Sequence, residues 1–450
     1  MAEVTTGKTT DEWTALLSGK YYGMVWLGLA NAAYTSDWKR NKDHIADDLK
    51  FAIETTDYMP PLPGERYSGQ TNAPAMPGSW SLDWGPAVTA GWSNLAYIAS
   101  YRSGENGTGD PLFFVVGIRG TDTSTGIKGV IEQVAQDLRS FSVRPWADYL
   151  NNGVEIPDGL IKKKKIGPPP NVRSGDAVIP GNVAIGTLEG FDKIAKQGGP
   201  LQRKTLTHEK GDSVTLVNAL ESLLAEKNVP IIVTGHSLGG CQTQVMTSYL
   251  AWQFPDTSVI GHPFAPSTAG DEAFAKQPAF STGCFWWCTL DFIPCGYGPV
   301  SDYALVADDA KTRDGFYKFD LAISWALENQ WEESVWPGTS PVEPGPSLPI
   351  KDALSGALVL GGAAIERLKF RRPTLAGMEN VMLVGELPTF DVMRDFLIAM
   401  ERKHTDDDLK KSINQLEWQH FPPNYKLMLW KHCQSDLVYF NYQTYKNLYS

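Results

Sequence analysis

A chain of 450 residues, with 42% hydrophobic and 20% charged residues, has the makeup of a globular protein with a sizeable core, in one large domain or two modest ones. Its formal net charge of −11 argues against a nucleic-acid partner, because neutralising phosphates needs a net basic face. The longest nearly unbroken apolar stretch, Ala353 to Ile365, has 13 residues and is too short to span a bilayer, so a soluble protein is expected.

From the N-terminus, Met1 to Asp11 is polar and lacks the apolar run of a signal peptide, which fits a cytoplasmic protein or a secreted one whose leader has been removed. Residues 10 to 35 carry a helical pattern built on Trp13, Leu16, Leu17, Met24, Leu27 and Leu29. Residues 35 to 110, rich in Pro, Gly, Ser and Trp, read as loops and short strands. The total of 15 Trp hints at an apolar cleft, since Trp is costly to bury fully.

Leu112 to Ile118 is dense in β-formers and reads as a strand buried on both faces. Residues 144 to 180, with Lys162 to Lys165 and Pro168 to Pro170, read as an exposed loop insertion. Its four lysines could meet anionic lipid head groups, although such runs are commonly just solvated. Asp212 or Ser213 can cap a helix with apolar positions Val214, Val217, Leu220 and Leu224. Pro230 to Thr234 is the next buried strand, Cys241 to Trp252 the next helix, ending before Pro255, and Ser258 to Ala265 a further strand. Alternating strands and helices predict an α/β fold with a mostly parallel sheet.

Phe285 to Cys288 reads as a buried strand, and Cys284, Cys288 and Cys295 cluster around it. Buried thiols, one disulfide and a metal site all remain open, although no nearby His completes a tetrahedral ligand set. Residues 296 to 403 hold a Pro-rich linker, the apolar segment 353 to 365 and a charged region, and read as a cap or lid inserted into a single domain over 1 to 450. Residues 122 to 135 compete with 353 to 365 as the lid.

The sharpest chemical signal is Gly235-His236-Ser237-Leu238-Gly239-Gly240, directly after a strand and before a helix. This is the G-x-S-x-G pattern in the context it requires: glycines allow a tight turn that exposes the Ser hydroxyl at a helix N-terminus. The N–H groups there favour a developing oxyanion. A serine needs a base, and the base an orienting acid, in the chain order Ser, acid, His. His44 and His208 precede Ser237, His236 adjoins it, and His262 precedes any plausible acid. His404, His420 and His432 are left.

With three further motifs the chain resembles the class 3 lipases, the family of fungal triacylglycerol lipases and their relatives. Val115 to Thr121 is similar to the family's strand ending in Arg-Gly-Ser/Thr, Gly190-Phe191 to its Gly-Phe motif, and Leu290 to Pro294 to its Asp-x-Val/Ile-Pro acid motif. The resemblance implies an α/β-hydrolase fold with an inserted cap, Ser237 as nucleophile and Asp291 as acid. It also implies an oxyanion hole from Thr121 and the backbone N–H of Leu238. Arg119 reads as a structural ion-pair partner. His420, in Trp418 to Tyr425, resembles the family's C-terminal His segment through its His-x4-Tyr spacing and is the expected base. His404 in a charged stretch and His432 on a helix stay as alternatives. Asp291 and His420 lie much further apart than in a minimal fungal lipase.

The function implied is hydrolysis of acylglycerols or other lipophilic esters through an acyl-enzyme, without metal or organic cofactor. The partner is a lipid or small ester, with transient contact at a lipid interface. A phospholipase A or an acyltransferase would use the same three residues. A hydrolase-like binding protein without activity would be expected to have lost one of them.

Overall fold

A computed structural model describes residues 14–15, 17–34, 44–54, 78–89, 94–103, 109–120, 143–158, 162–171, 173, 177–266, 269–288, 291 and 378–383, with 420, 422, 424, 425, 428 and 429. Among the described residues seven strands form one sheet in strict chain order: β1 (Gly78–Val88), β2 (Leu95–Ser103), β3 (Pro111–Ile118), β4 (Ile231–His236), β5 (Val259–Phe264), β6 (Cys284–Cys288) and β7 (Glu379–Leu383). The first two pairings are antiparallel and those from β3 to β7 are parallel, which is the mostly parallel α/β-hydrolase-like sheet expected.

The pleat divides the core. On β3, Phe113 and Val115 join one apolar cluster, while Phe114, Val116 and Ile118 join the other. On β6, Cys284, Trp286 and Cys288 face the first cluster, and Phe285 and Trp287 the second. A strand buried on both faces has no polar side to display, so β3 reads as an unbroken apolar run and β4 begins as one over Ile231, Ile232 and Val233. The first face is covered by helices α1 (Gly23–Ala32) and α2 (Ile45–Glu54). The second is covered by α3 (Ile185–Lys196), α4 (Leu216–Glu226) and α5 (Leu238–Gln253).

Several expectations shift. The region 35–110 holds α2, whose buried residues Ile45, Leu49 and Ile53 recur every four positions, and the long strands β1 and β2. Thr215 rather than Asp212 or Ser213 caps α4, accepting from the Asn218 N–H at 3.4 Å. Residues Ser213–Thr215 first pair as a strand with Gly198–Pro200, which delays the helix start. The stretch expected as an exposed loop, 144–180, carries a helix at Trp146–Asn152 and a hairpin pairing Val154–Asp158 with Lys162–Ile166. In that hairpin Ile156 and Ile166 are buried, while Lys163 and Lys164 form ion pairs with Glu155 and Glu189.

Within the expected cap, 296–403, residues Glu379–Leu383 form the sheet edge β7. Residues 353–365 and 122–135, the two candidate lids, lie outside the described residues. Trp26, Trp84, Trp146 and Trp286 are fully buried in the core, so these residues serve packing and not a cleft. Cys284 and Cys288 are buried in β6, and Cys295 lies outside the described residues. No helix among the described residues is long and apolar enough to cross a membrane.

The buried His262 on β5 illustrates how the interior constrains protonation. Its Nε2–H donates to the Leu17 carbonyl at 2.9 Å and its Nδ1 accepts from Trp286 Nε1 at 3.4 Å, a pattern only the neutral ring can satisfy. Burial pushes its pKa down to about 3, against the pull of the Leu17 carbonyl. Below an ordinary value of about 6.5, the unfolded chain therefore takes up a proton that the folded chain refuses. Stability should fall as pH drops from about 6.5 towards about 4.5, by at most about 1.4 kcal/mol per pH unit from this group. Urea unfolding midpoints measured across that window should show the slope, and His262→Gln should flatten it. An unchanged slope in the variant would contradict the assignment.

Candidate active site

The parallel strands end in register, with Gly235 beside Ile118 and His236 beside Phe264. Their carboxyl ends therefore form one rim, where ligand sites collect in open α/β sheets. Ser237 stands on that rim between β4 and α5. Its backbone has φ 60° and ψ −127°, a conformation that costs a non-glycine residue on the order of 1–3 kcal/mol. The surroundings hold it there: the Ser237 N–H donates to the Phe264 carbonyl at 2.9 Å, and its own carbonyl accepts from the Cys241 N–H at 3.0 Å. A Cβ on Gly235 would overlap the Gly239 carbonyl, and one on Gly239 would overlap the Ile118 carbonyl and crowd the Gly120 amide. Both glycines are thus required by backbone contact, as the motif implied.

α5 begins at Leu238, whose N–H belongs to the first turn and has no acceptor within the helix. The helix is buried nearly all round, so its polar residues bond inward. Thr243 and Thr247 hydroxyls donate to the carbonyls of Gly239 and Thr243, at 2.8 and 2.7 Å, and Gln242 Nε2 donates to the Thr187 carbonyl at 3.0 Å. Gly190 lies where α3 meets this helix, since a Cβ there would strike the Gln242 amide. Phe191 beside it packs edge-on against Tyr249 at 5.2 Å.

Asp291 and His420 come to Ser237 from distant parts of the chain. His420 Nε2 lies 2.7 Å from Ser237 Oγ, and its Nδ1 lies 3.0 and 2.9 Å from the two carboxylate oxygens of Asp291. A carboxylate only accepts, so Nδ1 carries the proton and Nε2 offers its lone pair to the Ser237 hydroxyl. Ser237, His420 and Asp291 are all buried, with Asp291 fully so. Asp291 sits just past β6 and its N–H donates to the Cys288 carbonyl at 3.1 Å. Thr121, His404 and His432 lie outside the described residues. The chain before Thr121 does reach the elbow: a Cβ on Gly120 would strike the His236 carbonyl.

Three neighbours had no assigned part in the sequence reading. The Tyr425 hydroxyl donates to Asp291 Oδ2 at 2.6 Å and accepts from the Cys288 N–H at 3.0 Å. Burial, and then the Asp291 charge, raise its pKa well above the ordinary tyrosine value, so it remains a donor. The His-x4-Tyr spacing was the only hint of it. His236 Nε2 lies 2.7 Å from the His420 carbonyl oxygen. Burial, and then the neighbouring His420, hold its pKa well below the ordinary histidine value. The Tyr34 hydroxyl accepts from the Gly120 N–H at 2.9 Å and donates to the His236 carbonyl at 3.3 Å. No sequence signal connects Tyr34 with the elbow. Among the described residues no group of three or more His, Cys, Asp or Glu side chains is placed to hold a metal ion.

Residues 182–294 match the model of the class 3 lipase family. Similar solved structures include M37 lipase, at 17% identity and TM-score 0.45, covering 92% of this chain and 99% of that one. A triacylglycerol lipase from Penicillium expansum aligns at 14% identity and TM-score 0.31, covering 61% of this chain and 74% of that one. Lip2 lipase from Yarrowia lipolytica aligns at 15% identity and TM-score 0.33, covering 61% and 72%. No curated protein sequence matches the chain. The matched stretch spans the elbow and the acid motif, so residues 182–294 of this chain are similar to the class 3 lipase family.

Proposed function

We propose that this protein is a serine carboxylic ester hydrolase that cleaves acylglycerols or other lipophilic esters through an acyl-enzyme. The observation that carries the reading is the continuous hydrogen-bond chain from Asp291 through His420 to Ser237, at 2.9 and 2.7 Å. A serine hydroxyl is a poor nucleophile alone, and a neutral imidazole with its far nitrogen anchored on a carboxylate is the base it needs. The family match supports an ester or lipid as substrate.

In this reading Ser237 Oγ attacks the ester carbonyl while His420 Nε2 takes its proton. Asp291 stabilises the resulting imidazolium without becoming protonated. The oxyanion is received by the Leu238 N–H and by the backbone N–H and hydroxyl of Thr121. His420 returns the proton to the departing alcohol, then activates a water that releases the acid and restores Ser237.

Ser237→Ala should abolish ester hydrolysis and fluorophosphonate labelling with the melting temperature little changed, because losing the nucleophile costs roughly 10⁴- to 10⁶-fold in turnover. The measurement is a panel of p-nitrophenyl esters from acetate to palmitate beside an emulsified triglyceride. A variant keeping a tenth of the parent activity would remove Ser237 from the mechanism. Tyr425→Phe deletes the hydroxyl that joins Asp291 to the Cys288 N–H. It should lower kcat about tenfold and stability by about 1–2 kcal/mol, with KM unchanged, since the carboxylate loses a fixing contact but touches no substrate. Steady-state kinetics and urea titration check it, and an unaltered kcat would confine Tyr425 to packing.

A further inference from the structure

We infer that His236 is a positioning residue for the proposed base: its Nε2–H grips the carbonyl oxygen of His420 and so fixes where the His420 ring stands relative to Ser237. This inference rests on the Ser237–His420–Asp291 reading above and extends it to a second histidine.

The carbonyl oxygen can only accept, so the 2.7 Å contact requires the proton on Nε2 of His236. The two imidazoles are close, with ring centroids 4.9 Å apart. A charged His236 would therefore oppose the imidazolium that forms on His420 during acylation. Burial among His420, Tyr425 and Tyr34 keeps His236 neutral, so it supplies a donor without supplying a charge.

Its place in the chain gives the contact its force. His236 directly precedes Ser237, so the residue that holds the backbone of the base is covalently joined to the residue the base must serve. The base's side chain is anchored on Asp291 from one direction and its main chain on the elbow from another. Two anchors restrict both translation and rotation of the ring, whereas the Asp291 contact alone leaves the ring free to swing about the carboxylate. His236 is itself tied down, because its carbonyl accepts from the Tyr34 hydroxyl, which also holds the Gly120 N–H. A serine–base separation of 2.7 Å tolerates little drift, and a displacement of about 1 Å can cost on the order of 100-fold in rate.

The test compares His236→Gln, His236→Asn and His236→Met in the full chain. A glutamine amide nitrogen reaches about as far as imidazole Nε2, an asparagine amide falls short, and methionine fills space without donating. On p-nitrophenyl butyrate, His236→Gln should stay within about fivefold of the parent kcat. His236→Asn and His236→Met should fall roughly 10- to 100-fold in kcat with KM within twofold. The rate of fluorophosphonate labelling should fall in parallel. Gln and Asn variants are both polar and similar in folding cost, so their difference reads the reach of the donor rather than general destabilisation. Equal activity of the Gln and Asn variants, whether high or low, would overturn the inference while leaving the triad reading in place. Absence of Ser237-dependent labelling in the parent chain would overturn both.

Discussion

The backbone of Ser237 is the constraint on which the rest of the site depends. A left-handed serine is unfavourable by itself, and it persists because its N–H and carbonyl are both bound and because the backbones on either side touch. Those contacts exist only when β3, β4 and β5 run parallel and end together. The sheet therefore supplies the strain, and the strain holds the hydroxyl clear of the turn. Gly235, Gly239 and Gly120 are small for one common reason, which is that three stretches of main chain converge there.

From this point the site extends outward through hydrogen bonds rather than through apolar contact. Asp291 hangs from the end of β6, held by its own N–H and by the Tyr425 hydroxyl. His420 is suspended between Asp291 and Ser237, with the His236 ring on its carbonyl. Each side chain in this chain of contacts has at least one hydrogen-bond partner, which is what makes a buried carboxylate and two buried imidazoles tolerable in a low-dielectric interior. Each partner also fixes a tautomer, so the direction in which a proton can move is set by the fold before any ester arrives.

The helix behind the elbow meets the same demand only in part, since Gln242 Oε1 and the Tyr249 hydroxyl are buried there without a hydrogen-bond partner among the described residues. α5 is covered on nearly every side, and its threonines turn their hydroxyls to the helix's own carbonyls. An amphipathic stripe is absent because almost none of α5 meets water, with only Leu238, Ala251 and Trp252 partly exposed. The aromatic content is spent on packing: Trp146 stacks on Tyr149, and Phe191 meets Trp146 and Tyr249 edge-on, a ring cluster between the helices and not a cleft wall.

Local chemistry made much of this legible in the sequence. The runs at Leu112–Ile118 and Ile231–Thr234 announced buried strands because strands covered on both faces are largely apolar. The elbow announced itself because backbone crowding admits only glycine two positions before and two positions after Ser237. His420 and Asp291 were found from their order and from motif likeness, and the structure brings both to Ser237. Helix α2 was legible in principle from Ile45, Leu49 and Ile53, but the proline- and glycine-rich stretches after it masked the period. The cap on α4 moved to Thr215 because a short strand pairing, made with residues 198–200, takes Ser213 out of the helix; local propensity carries no record of such a partner. The contacts of Tyr34, His236 and Tyr425 likewise belong to the tertiary structure alone. Each joins residues distant in the chain, 202 apart for Tyr34 and His236 and 134 apart for Tyr425 and Asp291. Sequence determines which side chains can donate, accept or fit a tight turn. Which of them meet is decided only when the sheet aligns its strand ends, because hydrogen bonds over such separations depend on distance in space and leave no periodicity along the chain.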